Sequence, residues 1–388
     1  MIVMLQMKII PPLISKSVKR QISEFLNVNT DTQFYKTPIP EKFQQLPFPL
    51  YGGFYTITTL PGTGISPELM DHVKNVLAIA PVNLNFEEIT SPTSVKDEDN
   101  ELYRITSSVF RNRVALKGSI EVTSKGAGMS QHNMSMRSKL DLYIAIIHCR
   151  AYPHVKCLNP GIDCIIARQN TEGDYLMLEH EAVKGNVEAL KVVTRHKTEQ
   201  YAIWALNYAR AHRRKKVTIV HKEDIYVLAD GIFVKTVLEQ ARDFRDLRFE
   251  TMRLTPFIEK LLRRPEVFDF VMIPNLYGSS ATNLICGALG GAGLLSKKSY
   301  SNYCAVFEPA VGDSAPHLKG KDCANPVAML NAARDMLSYL RMYRGAGAID
   351  YAVKRTLCHD KIQTPDIGGT ATTSEFIDRV KYYVGSFM

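Results

Sequence analysis

The stretch Phe54-Tyr55-Thr56-Ile57-Thr58-Thr59-Leu60 runs directly into Pro61-Gly62-Thr63-Gly64-Ile65-Ser66-Pro67-Glu68-Leu69, and this junction points to the class of fold. Its first half is rich in β-branched and aromatic residues, which suit a pleated strand. Two glycines then provide a tight turn, and Ser66 as N-cap with Pro67 as the first helical residue starts a helix. Beyond the junction the alternation continues. Strands are predicted over 114–120, 143–149, 163–167, 217–221 and 268–273, and helices over 196–213, 226–241, 279–289, 326–343 and 373–383. Strands alternating with helices argue for an α/β architecture. No internal repeat or low-complexity segment interrupts the pattern.

A dinucleotide-binding fingerprint competes for the same junction. It needs a third glycine, where Pro67 stands, and an acidic residue about 20 positions on, where Glu87 and Glu88 lie. The Gly62-x-Gly64 pair alone is equally a tight strand-to-helix turn, and that is how we read it.

Composition narrows the class of function. With 388 residues, 45% hydrophobic and 22% charged, the chain has an ordinary globular makeup and is long for one simple domain. No apolar run approaches the ~20 residues of a membrane-spanning helix. The seven cysteines (149, 157, 164, 286, 304, 323 and 358) form no CxxC pair and no metal spacing, which predicts reduced thiols and not a disulfide framework. A net charge of +9 raises the question of nucleic acid. The basic cluster Arg210, Arg213, Arg214, Lys215 and Lys216 reads instead as a helix C-terminus, where cations suit the dipole, followed by the strand at 217–221. No aromatic stacking motif accompanies it. At the N-terminus Lys8, Lys16, Lys19 and Arg20 precede the first acid, Glu24, and with Ser15 and Ser17 they resemble a mitochondrial transit peptide.

Longer strings carry a family resemblance. Leu60-Pro61-Gly62-Thr63-Gly64-Ile65-Ser66-Pro67-Glu68 resembles the "PGDGIGPE" of the β-decarboxylating dehydrogenases of isocitrate and isopropylmalate. Ala115-Leu116-Lys117-Gly118 matches the family's next strand, and the run from Arg168 to Tyr175 is similar to "RENTEGEY". The run from Val217 to Lys222 corresponds to "VTAVHK", that from Met272 to Gly278 to "MPNLYG", Asn325-Pro326 to "ANP", and that from Thr364 to Gly369 to "TPDIGG". The strings occur in one order from about Gly52 to Val384. Leu178-Glu179-His180-Glu181 favours the isocitrate branch. Ile147-His148-Cys149, where catalytic subunits carry "RPC", and Thr372-Thr373-Ser374-Glu375 resemble the gamma type of regulatory subunit of the mitochondrial NAD-dependent enzymes.

The resemblance implies a two-domain α/β fold with a clasp, not a Rossmann fold. Residues 1–48 would be a leader and irregular arm, 49–151 and 285–388 the two parts of a large domain, and 152–284 a small domain. The clasp, 171–195, would interlock between subunits. The active site would lie in the cleft between domains and borrow residues from the neighbouring subunit.

In the family a 2-hydroxy acid is oxidised with NAD and its β-keto product then loses carbon dioxide, with a divalent metal stabilising the enolate. Such a metal needs anionic oxygen ligands. At the three aspartate positions this chain carries Ser279, Asn283 and, at the position lent to a partner, Thr255. The resemblance therefore implies no catalysis in the chain's own cleft. Tyr175 and Lys222 stand at the catalytic tyrosine and the lent lysine. Of the carboxylate-binding arginines, Arg137 and Arg168 remain, while Ile147 stands for another.

The same pattern implies a citrate-like effector site at Ser119, Asn133, Arg137, Arg168 and Tyr175. Ser119 stands for an asparagine, Val122 for a threonine and Gln131 for a serine, which Ser130 replaces after a one-residue shift. A nucleotide effector, ADP in the family, would meet Arg264 and Asn325, the latter equally a turn asparagine before proline. The expected partner is a catalytic alpha-type subunit carrying NAD and magnesium or manganese, in a hetero-oligomer of the mitochondrial matrix, without nucleic acid or membrane. Two alternatives stay open: a structural pseudoenzyme without ligand, and an active NAD-dependent dehydrogenase.

Overall fold

Strand β1 (Tyr55–Leu60) is the first element of a computed structural model that describes residues 47, 49–50, 52–90, 98–120, 131–310 and 312–387. Of the expected leader and arm only residue 47 is described, and Val122 and Ser130 lie outside the described residues. After β1 come α1 (Ser66–Ile79), β2 (Leu84–Glu88), α2 (Glu98–Asn112), β3 (Val114–Lys117), α3 (Gln131–Lys139), β4 (Ile144–Arg150) and β5 (Asp163–Gln169). A hairpin, β6 (Gly173–Val183) and β7 (Asn186–Val192), precedes α4 (Arg195–Ala211), β8 (Lys216–His221) and α5 (Ala229–Gln240). Then follow β9 (Arg248–Arg253), α6 (Leu254–Arg263), β10 (Phe270–Ile273) and α7 (Tyr277–Ala288). The chain closes with β11 (Ser296–Tyr300), β12 (Ala305–Pro309), α8 (Val327–Tyr339), α9 (Tyr343–Lys354) and α10 (Thr373–Ser386).

Ten strands form one mixed sheet in the order β2-β1-β3-β12-β11-β4-β5-β10-β8-β9. The first four are parallel to one another, and so are the last four. β11 and β4 join the two blocks through antiparallel pairings on every side. The architecture is thus α/β but not a simple Rossmann sheet. Helices α1, α4, α5 and α8–α10 share the apolar core on one face. The other face carries two smaller clusters, one under α6 and α7 and one under α2 and α3. A gap between those two clusters sets up the site described below. Among the described residues no helix is long and apolar enough to cross a membrane.

Local chemistry explains the departures from the predicted elements. Ser66 does not cap α1; Ile65 occupies that position, and the Ser66 hydroxyl accepts instead from the Ser119 amide at 3.0 Å. The strand predicted over 114–120 stops at Lys117, and the next residue must be glycine, since a Cβ on Gly118 would stand 2.1 Å from the Pro61 carbonyl oxygen. The turn glycines are required: Gly62 and Gly64 have φ of +82° and +62°, and a Cβ on Gly64 would sit 2.0 Å from the Ser314 carbonyl. The helix predicted over 326–343 is two helices. α8 ends at Tyr339, Arg341 adopts φ 61°, and α9 starts afresh at Tyr343. The predicted boundary at 284 falls inside α7.

The basic cluster lies where α4 ends and β8 begins, and three of its members are paired. Arg210 binds Asp246, Arg214 binds Asp163 and Asp269, and Lys216 binds Glu250.

Candidate functional site

Strand register builds the site. On one face of the sheet, Lys117 on β3, Glu308 on β12, Lys297 on β11 and Ile147 on β4 form one row across four strands. The adjacent row contains Val306, Ser299, Ala145 and Arg168. These rows fill the gap between the two apolar clusters. Lys117 and Lys297 grip one carboxylate: Lys117 Nζ lies 2.9 Å from Glu308 Oε2, and Lys297 Nζ lies 3.0 Å from Glu308 Oε1. All three are at most 6% exposed.

Burial would raise the Glu308 carboxyl, but Lys117, Lys297 and Arg137 together hold it well below the usual carboxylate range. Lys297 is pushed the other way. Burial lowers its ammonium to about 7, Glu308 offsets this only in part, and Arg137, Arg168 and Lys117 add to the lowering. Burial likewise lowers the Arg168 guanidinium, with Arg137 acting in the same direction and Tyr175 and Glu308 against it. Among the described residues, four basic side chains thus act on one carboxylate. Buried charge of a single sign is costly unless it is compensated.

Arg168 is only 4% exposed. Its Nη2 donates to Asn170 Oδ1 at 2.9 Å, and its guanidinium carbon stands 5.8 Å from the centre of the Tyr175 ring. Among the described residues its Nε has no hydrogen-bond partner, and neither does Ser299 Oγ in the same row. Gly278 leaves room for it, since a Cβ there would lie 2.5 Å from Arg168 Cγ. Of the expected effector residues, the fold therefore brings Arg137, Arg168 and Tyr175 together. Ser119 is buried just beyond β3, with its carbonyl accepting from the Thr63 amide at 2.9 Å. Asn133 lies on α3, and its side chain is outside the described residues.

The hairpin is anchored at its base. Lys191 on β7 reaches Asp230 at the start of α5 (3.0 Å) and the Tyr277 hydroxyl at the start of α7 (3.2 Å). Lys222, just beyond β8, is half-buried and paired with Asp224 at 2.8 Å.

Ser279 and Asn283 lie one helical turn apart on α7, and Thr255 is exposed in the first turn of α6. None offers a negative charge. Among the described residues, no three His, Cys, Asp or Glu side chains gather as a metal ion would need. The donor set does not fit a hard divalent cation. Arg264 is exposed at the end of α6. Asn325 is committed within the chain: its amide donates to Asp366 at 2.9 Å and its carbonyl accepts from the Val327 amide at 3.0 Å, so it acts as a turn asparagine ahead of α8.

Sequence reasoning missed Lys117, Glu308, Lys297 and Ser299 as members of the site. The available signal was three lysines (Lys117, Lys297 and Lys298) and a glutamate inside strands otherwise made of apolar and small residues.

Residues 56–380 match the family described as isocitrate/isopropylmalate dehydrogenase. The chain is 41% identical over 331 residues to the mitochondrial NAD isocitrate dehydrogenase subunit gamma of Homo sapiens, covering 85% of this chain and 84% of that protein. It is 38% identical to the subunit beta of Bos taurus, covering 84% of this chain and 86% of that protein. Among solved structures, the isocitrate dehydrogenase of Methylococcus capsulatus superposes with a TM-score of 0.79 at 28% identity, over 85% of this chain and 99% of that one. The TT0538 protein of Thermus thermophilus gives a TM-score of 0.83 at 29% identity, over 87% of this chain and 70% of that one.

Proposed function

The chain belongs to the isocitrate/isopropylmalate dehydrogenase family, and we propose that it serves there as a non-catalytic regulatory subunit of an NAD-dependent isocitrate dehydrogenase. Its relatives are mitochondrial subunits of that enzyme. On this reading it works in the mitochondrial matrix, in a hetero-oligomer with a catalytic alpha-type subunit that carries the NAD and the magnesium or manganese.

One observation supports the reading: where the resemblance puts a cleft, basic side chains gather, and the three positions of the family's metal aspartates carry no carboxylate. Ser279, Asn283 and Thr255 are neutral, while among the described residues Arg137, Arg168, Lys117 and Lys297 act on Glu308. Such a cleft can bind a citrate-like polyanion through charge-assisted hydrogen bonds but does not hold the metal that would stabilise an enolate. Binding without turnover is what an allosteric effector site needs, provided occupancy favours one state of the partner. An adenine nucleotide is the second effector of this reading. It would meet Arg264 first, and Asn325 only after breaking its bond to Asp366.

Co-purification with an alpha-type subunit, followed by isocitrate oxidation assays with and without citrate and ADP, tests the proposal. The expected result is a stable complex activated by citrate. A chain that stays monomeric by light scattering beside the alpha-type subunit would overturn it.

A further inference from the structure

On the face of the sheet opposite the charged row, a polar chain crosses the seam between the two parallel blocks. Asp350 on α9 binds Arg334 on α8 at 3.0 Å, and Arg334 binds Asp335 at 2.9 Å. Asp335 meets Lys298 on β11 at 3.5 Å, and the Lys298 ammonium donates to the Tyr208 hydroxyl on α4 at 3.4 Å. Tyr208 closes the chain on His148 Nε2 of β4 at 2.9 Å. The direction of that last bond follows from what each group can give. An ammonium only donates, so the hydroxyl accepts from Lys298 and directs its own hydrogen to His148. His148 Nε2 is therefore the bare nitrogen of a neutral ring. A proton there would turn it into a second donor. The Tyr208 hydrogen would then have no acceptor among the described residues, and a third cation would stand beside Lys298 and Arg334.

We infer that His148 and Tyr208 form an acid-operated latch across the seam, closed while His148 is neutral and released when it gains a proton. The latch is independent of the proposed effector role. The groups facing His148 are Lys298 from β11, Asp335 and Arg334 from α8, Tyr208 from α4, and His212 just past the end of α4. Burial first, then Lys298, with His212 and Arg334 in support, lowers the imidazole well below 6.5, and Asp335 opposes them. His212 is a poor trigger by comparison. It is exposed, and its Nδ1 lies 3.0 Å from the Tyr208 carbonyl, an acceptor that serves a charged ring as well as a neutral one. As the pH falls, the unfolded chain takes up the His148 proton first. Stability contributed by the latch is thus complete above 6.5 and is lost as the pH drops through the lower folded value. The chain carries its own reporter, since its only tryptophan, Trp204, stacks on Tyr208 with ring centres 5.0 Å apart.

Trp204 fluorescence of the full chain, followed between about pH 8 and pH 5 beside far-UV circular dichroism, tests this. The wild type is expected to change emission with a midpoint below 6.5 while its secondary structure holds. His148→Gln keeps an acceptor for the Tyr208 hydroxyl but cannot charge, so the change should vanish. Tyr208→Phe removes the bond that favours the neutral ring and should move the midpoint upward. His212→Gln should keep the change. Thermal melts check that each variant is folded, and the wild type should lose melting temperature relative to His148→Gln as the pH falls below 6.5. Wild-type emission that stays constant over the whole range would overturn the latch. The same transition in His148→Gln, or its loss in His212→Gln alone, would overturn it too. Should His148→Gln fail to fold, Tyr208→Phe decides, because a midpoint equal to that of the wild type removes Tyr208 from any control of His148.

Discussion

Gly278 shows how a single atom controls the position of Arg168. A methyl group there would stand 2.5 Å from Arg168 Cγ, 2.7 Å from Cδ and 3.0 Å from Ile273 Cγ2. Gly278→Ala is therefore expected to push the guanidinium off its present course and cost citrate at least tenfold in affinity, about 1.4 kcal/mol. Titration of the variant against the wild type checks it, and equal affinities would mean that Arg168 does not touch the ligand. Lys297 gives a second, pH-dependent prediction. Its ammonium is lowered from 10.5 to about 7, so between those values the native chain holds fewer protons at this site than the unfolded chain. Stability contributed by this site then rises with pH across that window. Relative to wild type, Lys297→Met should be most stabilised below pH 7 and should lose that advantage as the pH nears 10.5. Denaturant titrations of both forms at matched pH values measure the difference. A gap that stays constant would show that the lysine titrates normally. Thr255 gives a third. On the proposed reading it stands where the partner's metal site borrows an aspartate, so Thr255→Asp should lower the magnesium needed for half-maximal activity of the complex. Identical metal titration curves would mean that α6 does not reach the partner's site. Single residues were readable in the sequence wherever a motif named a position: Ser279, Asn283, Thr255, Arg168 and Tyr175 all came from strings of residues. Lys117, Glu308 and Lys297 were not, for two reasons. Charged residues are seldom buried, which makes a strand lysine look like a solvent residue. Their meeting also depends on the register of strands nearly two hundred positions apart in the chain.

Among the elements, the β6–β7 hairpin stands out from the body of the chain. Two-stranded hairpins are marginal on their own, and this one leaves Val183, Val187 and Leu190 each more than 60% exposed. A partner's matching surface would bury them, as expected of a clasp between subunits. Val187→Asp with Leu190→Asp should prevent the complex with an alpha-type subunit while changing the stability of the isolated chain by only about 0.5 kcal/mol, because neither side chain is packed. Size-exclusion with light scattering reads the first effect and thermal melts the second. An intact complex would remove the hairpin from the interface. The last helix, α10, gives a control within the fold. The Thr372 hydroxyl accepts from the Glu375 amide at 3.1 Å, and the Glu375 carboxylate accepts from the Thr372 amide at 2.9 Å. Loss of this reciprocal cap in Thr372→Ala should cost about 1 kcal/mol. The sequence read over 373–383 reveals that helix because its start signal is local. The break at Arg341 was hidden, since nothing in an unbroken run of helix-forming residues marks a left-handed turn made by arginine.

The whole molecule is one twisted arrangement of two parallel blocks held together by β11 and β4. The charged row lies on one face of that junction, and a second polar linkage lies on the opposite face. There Lys298 reaches Asp335 on α8 at 3.5 Å and the Tyr208 hydroxyl on α4 at 3.4 Å, and Tyr208 pairs with His148 at 2.9 Å. Burial foremost, with Lys298 adding to it, holds the His148 imidazole well below its ordinary value, so it remains neutral in the physiological range. A ligand drawn into the row would sit at the seam between the two blocks. The regulatory role proposed for the chain turns on a cleft that binds but performs no oxidation. The rate of isocitrate oxidation by the isolated chain tests this directly, with NAD or NADP and with magnesium or manganese raised to saturation. No turnover above background is expected under any combination. Turnover that disappears when Tyr175 is replaced by phenylalanine would contradict it, because it would locate genuine chemistry beside Arg168 without the family's carboxylates.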